Sequence, residues 1–232
     1  ALDDSALRDL EEHLEAAAET PSCRVLVLVG QDGRFCRGMS LTSLSDRGGE
    51  GASAGEGVRR YARCLQRLRG GRQAVVALVD GPALGGGLGM AAAADILIAT
   101  EAARFGLPET MVGLVPAMVL PLLAERLPAQ KVRRLALGQP ALETAEAVRW
   151  GLVDLAVDDL AAGEKALFVR LKQLLRLSPR AVAQLRSFSL EAQRSGLQEA
   201  LAAGAELTAA SVEDPEVLEG VRAFVEGEPP PW

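Results

Sequence analysis

Hydrophobic positions along the chain follow two rhythms. From Ser5 to Ala18, Leu7, Leu10, Leu14 and Ala17 recur at helical spacing behind Asp3, Asp4 and Ser5, three good capping residues, so the pattern predicts a helix almost from residue 1. The run Arg24-Val-Leu-Val-Leu-Val-Gly30 behaves differently. Bounded by Pro21 and Gly30, it is too short for a core helix and predicts a buried strand. Ala74–Val79 and Ile96–Ala99 repeat that signature. Between them lie a basic amphipathic helix, Gly57–Leu68, and an alanine-rich helix, Met90–Ala94, while the glycine-rich stretch Ser45–Gly57 predicts a mobile surface loop. Beyond Glu109 the pattern is helical, at Leu120–Leu127, Ala129–Leu137, Thr144–Trp150, Glu164–Leu175, Pro179–Ser195 and Leu197–Ala210. Strands alternating with helices, then helices alone, predict an α/β fold of repeated strand-strand-helix units, residues 1–160, with a helical C-terminal region, residues 161–232. The junction Leu160–Gly163 is too short and apolar-flanked to read as a flexible linker.

Composition narrows the function classes. A chain of 232 residues, 49% hydrophobic, can bury one full core. No apolar run reaches the roughly 18 residues of a membrane span, and Ala1–Glu12 is acidic, unlike a signal peptide; a soluble, cytoplasmic protein without a membrane partner is expected. A net charge of -6 argues against nucleic-acid binding, which favours an excess of Lys and Arg. Cys23, Cys36 and Cys64 form no CxxC pair and His13 is the sole histidine, so neither a structural disulfide nor a metal site is expected. Arginine nonetheless clusters at Arg59, Arg60, Arg63, Arg67, Arg69 and Arg72. That stripe reads either as a solvated helix face or as a dock for an acidic carrier protein. His13 and Tyr61 read as structural or surface residues.

Three segments carry candidate chemistry. Gly33-Arg-Phe-Cys-Arg-Gly-Met-Ser40 follows a strand, and its Gly38 permits a tight turn that presents backbone N–H groups; a plain connecting turn is the other reading. In Asp80-Gly-Pro-Ala-Leu-Gly-Gly-Gly-Leu-Gly-Met90, glycines open a helix directly after a strand. Donors there have no intrahelical partner and lie at the positive end of the dipole, which suits an anion or a developing oxyanion, although close helix–strand packing also uses glycine. Neither GxxxxGK[ST] nor a GxGxxG with an acidic residue about 20 positions on is present, so a phosphate loop fits poorly. The third segment, Ala103–Ala117, holds one carboxylate, Glu109, among apolar residues. Desolvation would raise its pKa toward that of a general base, unless it is a first-turn helix residue facing water. Cys36 has no histidine near it in sequence to activate it as a nucleophile.

In this order and spacing the segments resemble the crotonase family, the enoyl-CoA hydratases and isomerases, over nearly the whole chain. Ala1-Leu2 before a helix resembles the family's "NAL" start, Phe35-Cys-Arg-Gly-Met39 its first oxyanion segment, and Asp80-Gly-Pro-Ala-Leu-Gly-Gly-Gly87 the second. Ala94-Asp-Ile-Leu-Ile-Ala99, Ala103-Arg-Phe-Gly106, Gly138 with Ala145–Ala147, Gly151-Leu-Val-Asp154, and Phe224 with Pro229–Trp232 resemble later signatures. The resemblance implies a spiral of strand-strand-helix turns with a C-terminal helical trimerisation region, assembling as a homotrimer or hexamer. It also implies opening strands before residue 1. By the same resemblance the N–H groups of Arg37 and Gly86 form an oxyanion hole, and Met39, Ser40, Leu84, Gly85, Gly113 and Ala117 contact the acyl group. No cofactor is implied beyond the phosphopantetheine arm of an acyl carrier protein or of coenzyme A.

Hydratases of the family use two glutamates, and Gly89 stands where the first would be. A single glutamate, here Glu109, resembles the Δ3,Δ2-isomerases and the dehydratases of polyketide β-branching. Phe105-Gly-Leu-Pro-Glu-Thr-Met-Val-Gly-Leu-Val-Pro-Ala-Met-Val-Leu-Pro-Leu-Leu123, with Pro-Ala-x-Val-Leu-Pro in place of "P-G-x-G-G", resembles those dehydratases, although Ser40 replaces their usual Asp. They remove water from a 3-hydroxy-3-methylglutaryl group on acyl carrier protein to give 3-methylglutaconyl. A sister decarboxylase and a catalytically inactive binding subunit are the remaining alternatives.

Overall fold

A computed structural model describes residues 2–39 and 54–232. Ser40 and most of the predicted surface loop lie outside the described residues. Four parallel strands, β1 (Val25–Val29), β2 (Ala74–Val79), β4 (Ile96–Thr100) and β7 (Leu155–Val157), form one sheet in the order β1-β2-β4-β7. A second sheet contains β3 (Pro82–Leu84), β5 (Arg104–Gly106) and β6 (Leu142–Glu143), with β3 parallel to β5, and Cys36 is bridged in parallel to Ala83 beside them. Successive chain turns thus give one strand to each sheet: β1 and the segment at Cys36, then β2 and β3, then β4 and β5. This is the expected spiral of strand-strand-helix turns.

The helices fill the turns between strands. Helix α1 (Asp4–Glu19) is capped by Asp3, whose carboxylate accepts from Ala6 N–H, and packs on α2 (Ala54–Gly70). Helix α3 (Gly86–Ala92) is wholly buried, which explains its glycines and alanines: larger side chains have no room there. It starts four residues before the alanine-rich run at Met90, at the glycines expected to open a helix directly after a strand. Helices α4 (Leu120–Ala124), α5 (Ala129–Ala136) and α6 (Thr144–Trp150) complete the core, and α7 (Leu160–Leu174), α8 (Pro179–Ala192), α9 (Leu197–Val212) and α10 (Pro215–Glu226) follow.

Strand β2 is buried at every position, and alternation sends its side chains to two cores. Val75, Ala77 and Val79 join the large core with α3 and Phe105, whereas Val76 and Leu78 face α7. A β-carbon at Gly163 would lie 2.6 Å from Leu78 Cδ1, so α7 rests directly on the sheet. The junction at residues 160–163 therefore lies at the start of a core-packed helix. Further along, Arg186 on α8 is buried and donates to the Gly71, Leu68 and Arg69 carbonyls and to Asp95, tying the C-terminal helices to the sheet. Among the described residues no helix is long and apolar enough to cross a membrane.

Candidate active site

Parallel register brings the ends of three strands to one edge. Cys36, Ala83 and Phe105 stand in one row, so the residues just beyond them, Arg37–Met39, Gly85–Gly86 and Leu107–Glu109, emerge together. Up to that edge the backbone is paired: Cys36 N–H donates to the Pro82 carbonyl and Leu84 N–H to the Cys36 carbonyl, both at 2.9 Å. Past it, neither Arg37 N–H nor Gly86 N–H donates to an acceptor among the described residues. Gly86 is the first residue of α3, where a helix leaves its N–H groups unpartnered.

Two glycines allow the segments to touch. Gly38 has φ +86°, and a β-carbon on it would lie 2.9 Å from Leu84 O and 3.2 Å from Gly86 N, so the 36–39 segment rests on the first turn of α3. Gly85, with φ 53° and ψ -122°, adopts a conformation open in practice only to glycine. A β-carbon there would stand 2.8 Å from Glu109 Oε1.

Glu109 begins a short 3-10 turn, Glu109–Val112, placed by Pro108 before it and closed by Gly113 in the left-handed region. Its carboxyl is half-buried, and Oε2 is buried with no hydrogen-bond partner. Burial pushes the carboxyl above the usual glutamate range, with a smaller opposing effect from its own backbone N–H. A desolvated, unpaired carboxylate is a stronger proton acceptor than one in water.

These groups share a cavity of about 550 Å³. Arg37, Met39, Gly85, Gly86, Glu109 and Ala117 of the expected site line it. Ser40 lies outside the described residues. Leu84 and Gly113 lie off the wall: Leu84 packs toward Gly106, and Gly113 is exposed with nothing near its Cα face. Much of the remaining wall is apolar, including Val58 on α2 and Met118 and Val119 before α4. Tyr61 also lines the cavity, at 1% exposure, and its hydroxyl donates to the Gly86 carbonyl at 2.5 Å. Tyr61 therefore belongs to the site rather than to the surface. The available signal was its position three residues after Val58 and three before Cys64, on the apolar face of α2.

Other expectations resolve outside the cavity. Arg60 pairs with Asp4 and Glu11, Arg63 with Glu11 and Glu56, Arg59 with Glu56, Arg67 with Glu15 and Arg69 with Glu125, while Arg72 caps carbonyls at the end of α1. The arginine stripe thus fastens α1 to α2 and is largely neutralised within the chain. His13 is exposed, with Nδ1 against the Asp9 carbonyl. Burial pushes the Cys36 thiol up, away from thiolate chemistry.

Known proteins resemble this chain in sequence and fold. Residues 1–232 match the family described as enoyl-CoA hydratase/isomerase. The chain is 32% identical over 228 residues to bacillaene synthase dehydratase PksH of Bacillus subtilis (strain 168), covering 96% of this chain and 85% of that protein. It is 30% identical over 245 residues to the carnitinyl-CoA dehydratase of Proteus mirabilis (strain HI4320), covering 100% of this chain and 90% of that protein. Among solved structures, Pseudomonas aeruginosa AtuE superposes with a TM-score of 0.91 at 35% identity, over 99% of this chain and 90% of that one. The fold, the paired glycine segments and these full-length similarities together place the chain in the enoyl-CoA hydratase/isomerase family, the crotonases.

Proposed function

We propose that the protein is a hydro-lyase that removes water from a 3-hydroxyacyl thioester, and that its substrate is the 3-hydroxy-3-methylglutaryl group on acyl carrier protein, converted to 3-methylglutaconyl in polyketide β-branching. The observation that carries the reading is the lone Glu109 carboxyl, one oxygen buried without a partner, on the wall of a cavity that Arg37 and Gly86 also line. Two relatives that match nearly the full chain carry dehydratase in their names, which supports loss of water. The run from Phe105 to Leu123 supports the β-branching acyl group.

In this mechanism the Arg37 and Gly86 N–H groups donate to the thioester carbonyl and stabilise the negative charge that develops on it. The Glu109 carboxylate takes the proton from C2, and the electron pair moves onto the carbonyl as an enolate. When the enolate collapses, the C2–C3 double bond forms and the C3–O bond breaks. Protonated Glu109 delivers its proton to the departing hydroxyl, so water leaves and the carboxylate is regenerated. The phosphopantetheine arm, of carrier protein or of coenzyme A, brings the acyl group; the chain itself needs no further cofactor for these steps. Exposed apolar side chains on the C-terminal helices, among them Leu197, Phe224 and Val225, support assembly into a homotrimer or hexamer.

Mass spectrometry of a 3-hydroxy-3-methylglutaryl thioester, on carrier protein and on coenzyme A, tests the reading. Loss of one water is expected, faster on carrier protein. Loss of carbon dioxide would assign a decarboxylase. An unchanged mass with a shifted double bond in an enoyl thioester would assign an isomerase, which a single carboxylate also serves.

A further inference from the structure

Besides Arg37 and Glu109, the described cavity wall holds one more polar side chain, Tyr61, in a place that a second acid would need. Gly89 lies on α3 one turn after Gly85 and is fully enclosed; a β-carbon there would stand 2.4 Å from the Tyr61 hydroxyl oxygen and 3.1 Å from Val119 Cγ2. No side chain can grow from position 89 while Tyr61 keeps its place. Among the described residues of the wall, Arg37, Tyr61 and Glu109 are the only ones with polar side-chain groups. The Tyr61 oxygen is the one that reaches α3, through the Gly86 carbonyl.

We propose that Tyr61 is a positioning residue: its hydroxyl fills the volume at Gly89 and clamps the Gly86 carbonyl, so that the first turn of α3 holds the Gly86 N–H toward the cavity and Glu109 is left as the sole proton-transfer group. The assignment rests on the proposed roles of Gly86 and Glu109. Burial, with the nearby Cys36 and Glu109 adding to it, pushes the Tyr61 phenol far above its ordinary range. It therefore remains protonated and donating at every working pH, and serves as neither base nor titrating switch. A helix of seven residues has few hydrogen bonds of its own to fix its first turn, so a side-chain clamp from α2 matters more here than on a long helix.

Removing only the hydroxyl tests the clamp. Tyr61→Phe is expected to lower kcat about 10- to 100-fold, the scale on which small misplacements act, with KM within about twofold of wild type. The acid limb of the pH profile, set by Glu109, stays in place. Exchange of the C2 proton of a bound acyl thioester into D2O should fall by the same factor as kcat, and that readout does not require water to leave. Unchanged kcat and exchange, or a change confined to KM, would overturn the proposal. If the wild-type protein exchanges the proton without dehydrating the hydroxymethylglutaryl thioester, the acyl assignment fails and the exchange ratio still decides the role of Tyr61. A substrate-free arm uses melting temperature. Gly89→Ala should cost far more in wild type than in the Tyr61→Phe background, where the clashing oxygen is gone; equal losses would show that the two residues do not share that space.

Discussion

Glu109 leans against the backbone of Gly85, with Oε1 2.8 Å from the point where a β-carbon on that glycine would stand. The contact sets the carboxyl beside the first turn of α3, one residue from the Gly86 N–H. It exists because strands β3 and β5 run parallel and in register, delivering Gly85 and Glu109 to the same edge.

Gly85→Ala should therefore damage the site twice. A side chain at φ 53°, ψ -122° costs about 1 to 3 kcal/mol in backbone strain, and the methyl displaces the carboxyl. Turnover is expected to fall about 100-fold or more, following the effect of small misplacements, in a protein that still folds with a reduced melting temperature. Steady-state kinetics beside a thermal melt would check both parts.

Glu109→Gln keeps the shape and removes the proton acceptor. Turnover should drop about 100- to 10,000-fold, while affinity for the acyl thioester, measured by calorimetry, changes little. The same variant carries a stability signature. Burial holds the folded-state pKa above the unfolded one, so the contribution of this group is fully favourable below the ordinary glutamate pKa, about 4.3, and is lost as pH rises through the raised value. At neutral pH the Gln variant should thus melt higher than wild type, and the advantage should vanish at acidic pH.

The raised pKa also fixes the pH dependence of the reaction. The proposed mechanism requires the base form of Glu109, so the acid limb of kcat/KM should lie above the ordinary carboxylate range rather than within it. A profile flat down to pH 4 would assign proton removal to another group.

Arg186 offers a test of architecture away from the chemistry. It is 4% exposed, with its guanidinium on Asp95 and on the Leu68, Arg69 and Gly71 carbonyls. Arg186→Met leaves those acceptors without it, at a cost of about 3 kcal/mol, which lowers the melting temperature by about 6 to 12 °C in a domain of this size. Below that temperature turnover should match wild type, as Arg186 does not border the cavity.

The sequence displayed the parts of this fold that carry strong periodicity. Strands β2 and β4 are continuous apolar runs because they are buried in a parallel sheet, whereas β1, expected to be buried, stands at the end of the described sheet with Val27 and Val29 exposed; Thr144–Trp150 is predicted to the residue. The second sheet was not legible: β3, β5 and β6 are two or three residues long, too short for any periodicity to form. Helix α10, Pro215–Glu226, was also missed, although Asp214 and Pro215 open it with ordinary capping chemistry. Of the site, the glycine segments and Glu109 could be read because glycine and a carboxylate among apolar residues stand out in a linear pattern. For Tyr61 the spacing to Val58 and Cys64 signalled burial but not its proposed role, which depends on a contact with Gly86, 25 residues away, and on the space above Gly89.

A crystal structure with a non-hydrolysable 3-hydroxyacyl thioester analogue would show whether the Arg37 and Gly86 amides and the Glu109 carboxyl act on one acyl group. The carbonyl oxygen is expected about 2.7 to 3.1 Å from both amide nitrogens, with the Glu109 carboxyl facing C2 and the C3 hydroxyl. An acyl carbonyl bound elsewhere, or a Glu109 side chain turned away from the acyl group, would contradict that expectation.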